Sequence, residues 1–261
     1  MPVLFFLISL LASTIGAICG IGGGIIIKPT LDAFHFLNVP VIDFLSGCTV
    51  LSMTCYSVGR SLLKKEHVID IRDVTPLAIG AATGGVIGKY LFSAVDTLFL
   101  NKNAIGSVQA IILFIITLGA LLYTLRETRI QTMHVGHAAA GVGIGLALGV
   151  ISSFLGIGGG PINLVVLSFF FSMDTKTAAQ NSLYIILFSQ LTNIIVECIS
   201  GTALSIAWVD LIVMVCGGIS GGIIGRIIYR WIDSIMVTKL FVGLMCLILV
   251  ICLYNAWQYM A

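Results

Sequence analysis

The sequence predicts an all-α polytopic membrane protein made of two inverted-topology repeats, each a glycine-broken helical hairpin followed by three transmembrane helices. Three observations carry that prediction. Hydrophobic residues form 59% of the chain and charged residues 9%, with a mean hydropathy of +1.13, whereas a soluble domain carries about 25% charged residues. The pentapeptide GIGGG occurs twice, at 20–24 and 156–160. The lysines and arginines segregate to one side of the membrane only if each GIGGG turns the chain back on itself.

Taken in chain order, long apolar stretches run over 3–27, 74–95, 104–125, 138–157, 207–229 and 236–258, with shorter or more polar ones at 24–37, 41–58, 161–173 and 178–199. Crossing a hydrocarbon core of ~30 Å takes about 20 helical residues. The runs are continuous, without the alternation of barrel strands, so helices are expected. The N-terminal MPVLFFLISLLAST has no basic n-region and no small-x-small cleavage site, and reads as a retained membrane segment.

Sliding the chain by 136 positions aligns GIGGGIIIKPTL (20–31) with GIGGGPINLVVL (156–167), and Ser46 with Ser182. One further position aligns Asp73, Gly80, Gly84, Gly85, Ile87, Gly88 and Asp96 with Asp210, Gly217, Gly221, Gly222, Ile224, Gly225 and Asp233, and sets Lys89 against Arg226. Two separated blocks in register define repeats at 1–130 and 131–261, the internal duplication common in transporters. The glycines at 84–88 and 221–225 lie within apolar helices and read as close-packing faces. The consecutive glycines of GIGGG weaken any helix, and at matching places in two halves they mark broken helices at a transport site.

Eight plain crossings would divide the 13 basic residues six against seven, with no bias. Making each GIGGG a hairpin tip leaves six full crossings. It then puts Arg60, Lys64, Lys65, Arg72, Arg126, Arg129, Lys176, Arg226, Arg230 and Lys239 inside, and only Lys28, Lys89 and Lys102 outside. The positive-inside rule favours that arrangement, which places both termini outside the cytoplasm in a cytoplasmic (inner, plasma) membrane.

At such a tip, the first N–H groups of the returning helix lack intrahelical partners and carry the positive end of its dipole. Glycine lets a ligand approach the backbone closely. Gly22, Gly23, Gly24, Gly158, Gly159 and Gly160 are therefore candidate anion-binding positions. Lys28 lies four residues beyond Gly24; it serves either the anion or Asp32, one turn on. The second repeat has Leu164 at that place, with polar Asn163 beside it. Ser46, Asn181 and Gln190 add polar groups for substrate, although Ser and Thr in such helices commonly bond to their own backbone. Asp32, Asn193 and Glu197 are coupling or gating candidates, Glu197 alternatively being an exposed interfacial residue.

Other chemistries find little support. His134 and His137 lack acidic or thiol partners nearby, so no metal site or other cofactor is expected. The seven cysteines form no C-x-x-C and read as buried apolar residues. No H-E-x-x-H or G-K-[ST] motif appears and no enzyme activity is expected. A net charge of +2 without a basic tail argues against nucleic acid.

The twin GIGGG motifs, followed by FLSGCTVLSM (44–53) and AAQNSLYIIL (178–187), resemble the sulfite exporter TauE/SafE family, also described as a sulfonate-uptake permease group. The resemblance covers essentially the whole chain. It implies a secondary transporter of sulfite, organosulfonates or related sulfur-containing anions, working by alternating access at a mid-membrane site between the two tips. An anion channel on the same scaffold is the alternative. The partners implied are the small anion and membrane lipid, and a homodimer is compatible with the reading. The family's proline after the glycines is met by Pro29; Val165 holds the aligned place in the second half, where Pro161 directly follows the triplet.

Overall fold

The computed structural model describes residues 2–34, 39–64, 69–98, 102–126, 131–155, 159–199 and 207–260. Its described residues form ten helices: α1 (Pro2–Cys19), α2 (Gly24–Ala33), α3 (Val39–Leu63), α4 (Ile71–Leu98), α5 (Lys102–Arg126), α6 (Ala138–Leu155), α7 (Gly160–Phe171), α8 (Thr175–Ile199), α9 (Trp208–Trp231) and α10 (Ser234–Met260). Each GIGGG separates a long helix from a short one, and three long helices follow each time. Seven helices (α1, α3, α5, α6, α8, α9 and α10) are long and apolar enough to cross a membrane, so this is an all-helical, multi-pass membrane protein.

The helix-breaking role of the glycines is visible in the backbone. Gly22 and Gly23 have φ of 79° and 74°, and Gly159 has φ of 114°, regions that cost a residue with a Cβ atom roughly 1–2 kcal/mol. The outgoing arms α1 and α6 have 18 residues each, about 27 Å of helix. The returning arms α2 and α7 have 10 and 12, about 15 and 18 Å, well short of a bilayer core.

The halves grip one another through glycine. A Cβ at Gly80, Gly84 or Gly88 of α4 would collide with the backbone of Val142, Leu146 or Val150 of α6. A Cβ at Gly217, Gly221 or Gly225 of α9 would collide with Phe6, Leu10 or Thr14 of α1. Phe6, Leu10 and Thr14 are the residues 136 positions before Val142, Leu146 and Val150, so each half presents the same ridge to the same groove of the other. Without a hydrophobic drive between helices in lipid, such close backbone contact supplies the dispersion energy of association. The close-packing faces expected of these glycines are therefore present. Ser9, whose hydroxyl bonds to Phe5 and Phe6 carbonyls, is the small residue facing Gly217.

These registers set helix directions. Contacts of Gly217 through Gly225 advance along α1, and those of Gly218 and Gly222 advance along α3 from Thr49 to Met53, so α1, α3 and α9 are parallel. The contacts of α4 advance along α6, and from Tyr184 at Thr75 to Asn193 at Gly85 they advance along α8. Between α3 and α8 the order reverses, Gly47 lying by Gln190 while Ser57 and Gln180 share Arg226. Trp208 and Trp231, at the two ends of α9, are exposed, as aromatic residues at both membrane interfaces are.

The cysteines depart from expectation. Only Cys19 and Cys252 are buried and Cys48 is half-buried, whereas Cys55, Cys198, Cys216 and Cys246 are exposed. In a membrane protein an apolar thiol loses nothing by facing lipid, so composition alone cannot assign it to the interior.

Candidate functional site

The first glycine break reaches the centre of the bundle. Gly20 to Gly24 are all buried. A Cβ added at Gly22 would stand 3.2 Å from Val50 Cγ1 and 3.2 Å from Ile186 Cδ1, residues midway along α3 and α8. Neither returning helix has a side-chain cap: Gly23 and Gly159 occupy the N-cap positions, so the positive ends of α2 and α7 are left to the backbone alone. The N–H groups of Ile26 and Ile27 turn back to Gly23 O. In the second break Gly159 and Gly160 are buried, while Gly158 lies outside the described residues.

Asn163 closes over that second break. It is 1% exposed, its amide occupies the space a side chain at Gly159 would need, and its Oδ1 has no hydrogen-bond partner among the described residues. A buried amide oxygen without a donor costs about 1–3 kcal/mol.

Lys28 connects the two breaks. Its ammonium, on α2 and 8% exposed, forms an ion pair of 2.9 Å with Asp43 Oδ1 on α3 and donates to Leu155 O at 3.3 Å. Leu155 is the last residue of α6, immediately before the second GIGGG. The ion pair is to Asp43, which the sequence did not single out; Asp32, one of the two partners left open for Lys28, lies half-buried one turn further along α2. Helical spacing made Asp32 the near choice, but the carboxylate of a packed neighbouring helix meets the ammonium here.

A second ion pair stands close by. Lys89 of α4 pairs with Glu197 of α8, and Glu197 also feels the charges of Asp43 and Lys28. Glu197 is buried, which corrects its reading as an interfacial residue, and Lys89 lies inside α4 rather than at a loop. Four charges, two of each sign, thus gather from α2, α3, α4 and α8. Beside them Ser153 of α6 donates to Asn193 Oδ1 at 3.2 Å, and the Gln190 amide faces Gly47.

Asn181 and Ser46, the remaining polar candidates, are both buried. Asn181, fully buried, accepts from the Asp70 backbone N–H at 2.9 Å and donates to Thr177 O, which fastens α8 to the start of α4. Ser46 is buried in α3. Asp43, Lys89 and Ser153 are members of the polar centre that sequence reasoning missed. An aspartate four residues into an apolar helix was the available signal, since charge within a membrane marks function by default.

Residues 5–252 match the protein family described as "Sulfite exporter TauE/SafE". The chain is 26% identical over 272 aligned residues, 95% of its length and 94% of the relative's, to "Probable membrane transporter protein YunE" of Bacillus subtilis (strain 168). No solved structure matches it significantly.

Proposed function

The chain belongs to the sulfite exporter TauE/SafE family, a family of membrane transporters, and from that premise we propose that it carries small sulfur-containing anions, sulfite or organosulfonates, across the cytoplasmic membrane. The two halves are read as inverted repeats, 1–130 and 131–261, each with a broken hairpin and three crossings, and with both termini outside. Opposed directions of α1 and α6, and the matching ridges of Phe6 and Val142, support that reading.

The mechanism follows from charge. Uncapped helix starts after each glycine break offer N–H groups and a positive dipole end to an oxyanion. Lys28 adds a full positive charge where one hairpin's returning arm meets the other's tip. With Lys28 held by Asp43 the site is neutral; an arriving anion competes with Asp43 for the ammonium. Because the ammonium also holds the carbonyl that ends α6, such an exchange would alter the seam between the hairpins, which is the element alternating access has to open. Glu197, paired with Lys89 in the same charge group, is the coupling carboxylate in this scheme.

The observation that carries the proposal is the bridge from Lys28 to Leu155 and Asp43 across three helices. It is tested by reconstituting the purified chain in liposomes and measuring radiolabelled sulfite and taurine uptake. Saturable uptake with counterflow supports a carrier; current without counterflow would mean a channel, and no flux of any sulfur anion would remove the proposal. Cysteine accessibility tests the topology, which requires residues 130 and 176 to share a side.

A further inference from the structure

The second glycine break differs chemically from the first. Under the 136-position alignment Pro161 stands where the first half has Ile25, and Asn163 where it has Ile27. Ile25 and Ile27 are both fully buried. Pro161 has no N–H, so the start of α7 offers one backbone donor fewer than the start of α2. Asn163 brings an amide into a place that its counterpart fills with hydrocarbon.

That amide is turned toward the break. Asn163 lies four residues beyond Gly159, and helical side chains lean toward the N-terminus of their helix. A Cβ at Gly159 would stand 3.0 Å from Asn163 Cγ and 3.1 Å from its Oδ1, with Nδ2 nearer still. The donor end of the amide is thus closest to the tip, beside the uncapped and electropositive start of α7. Asn163 is 1% exposed, and its Oδ1 has no hydrogen-bond partner among the described residues. Nδ2 and the helix dipole can serve the ionised oxygens of an anion. They leave Oδ1 unanswered, because an ionised oxygen accepts and does not donate. A ligand that carries a donor of its own satisfies both ends of this amide.

We propose that Asn163 is a specificity-determining residue at the second break, selecting a sulfur-containing monoanion that brings an O–H or N–H donor to its Oδ1. A protonated sulfur oxyanion such as hydrogensulfite fits, as does a sulfonate bearing a hydroxyl or ammonium group. Fully ionised sulfite and unsubstituted alkanesulfonates are disfavoured, since they leave the buried oxygen unpaired; a site built to bond a substrate hydroxyl rejects the analogue lacking it for this reason. The inference rests on the anion-transport reading and names the substrate class for it.

The test uses the full-length chain in liposomes with radiolabelled sulfite uptake, and compares wild type with Asn163→Leu, close in size, and Asn163→Ala, which cannot overpack. Two quantities are read: the concentrations of isethionate and of ethanesulfonate that halve uptake, and the half-saturating sulfite concentration as rising pH converts hydrogensulfite to sulfite. In wild type isethionate is expected to compete at about tenfold lower concentration than ethanesulfonate, the scale of one hydrogen bond to a buried group. Both variants should bring that ratio toward one, which assigns the donor to the organic substituent. A half-saturating concentration that rises with pH in wild type and stays flat in the variants assigns it to the protonated oxyanion. Neither preference in wild type, or a variant that transports sulfite and keeps the wild-type preference, overturns the role of Asn163 while leaving transport standing. Absence of sulfite flux in wild type overturns the transport reading itself.

Discussion

The ammonium of Lys28 donates to the carbonyl of Leu155, 127 positions further along the chain, and so joins the returning arm of the first broken hairpin to the end of the outgoing arm of the second. With the 2.9 Å ion pair to Asp43, one side chain ties together α2, α3 and α6. Removing either member of a buried ion pair costs about 3–5 kcal/mol, because the other is left charged and unpaired. Lys28→Met and Asp43→Asn should each lower the thermal unfolding temperature of the detergent-purified protein. The double variant should recover most of that loss yet transport no sulfite. Recovery of transport along with stability would show that the pair serves folding alone.

Lys89 and Glu197 allow a cleaner separation. If they act as a pair across α4 and α8, Lys89→Met and Glu197→Gln should each destabilise, and the exchange Lys89→Glu with Glu197→Lys should restore the fold. Transport should not return with it, since the exchange moves the negative charge away from Lys28 and Asp43. A double-mutant cycle on unfolding temperature measures the coupling; additive effects would deny the pair.

The glycine seams should be the most sensitive surface in the molecule. Gly84→Leu and Gly221→Leu drive a side chain into the backbones of α6 and α1, and overpacking of this kind costs about 1–3 kcal/mol or more. Ile227→Leu, on an exposed position of α9, should be neutral. Because Gly84 and Gly221 occupy equivalent seams, their losses should be similar; a large loss at one and none at the other would deny the reciprocity of the halves.

Much of this fold was legible because its signals are periodic or repeated. Ten apolar segments and two GIGGG breaks have direct structural counterparts in α1 through α10, and the residues that meet the glycines of α4 and α9 are 136 positions apart. The charged centre was less legible for a physical reason. Pairs such as Lys28 with Asp43 and Lys89 with Glu197 join separate helices, and helical spacing speaks only of neighbours on one helix, which is why Asp32 stood out and Asp43 did not. The role of Asn181 was hidden in the same way, since its partner is the Asp70 backbone, 111 positions away.

At the base of α8, Asp174 makes a pH-dependent contribution. Partial burial pushes its carboxyl up, but hydrogen bonds from Thr177 and Ser234 hydroxyls and from the Thr177 and Lys176 backbone outweigh this and hold it below its ordinary 3.8. A group whose folded pKa is depressed adds stability above its unfolded pKa, and that contribution fades as pH falls through the lower folded value. Wild type should therefore lose an increment of unfolding temperature on acidification below about pH 4 that Asp174→Asn lacks. Parallel acid curves for the two proteins would refute the cap.

Gly23 and Gly159 test the hairpin tips directly. Gly23 has φ of 74° with Ala12 O 2.8 Å from any added Cβ, and Gly159 has φ of 114° with the Asn163 amide in the way. Leucine at either position meets backbone strain of about 1–3 kcal/mol and forces the tip away from its neighbour. Helix insertion depends on the long apolar segments, which these changes leave intact, so both variants should reach the membrane in normal amount. Their sulfite flux should fall to background. Asn163→Ala separates strain from chemistry, because it vacates the space beside Gly159 and removes an amide oxygen that has no donor among the described residues. A Gly159→Ala, Asn163→Ala protein should fold better than Gly159→Ala alone, since only the strained φ then remains. If flux in Gly159→Leu equals wild type, the second break is not at the transport path, and the anion must pass elsewhere.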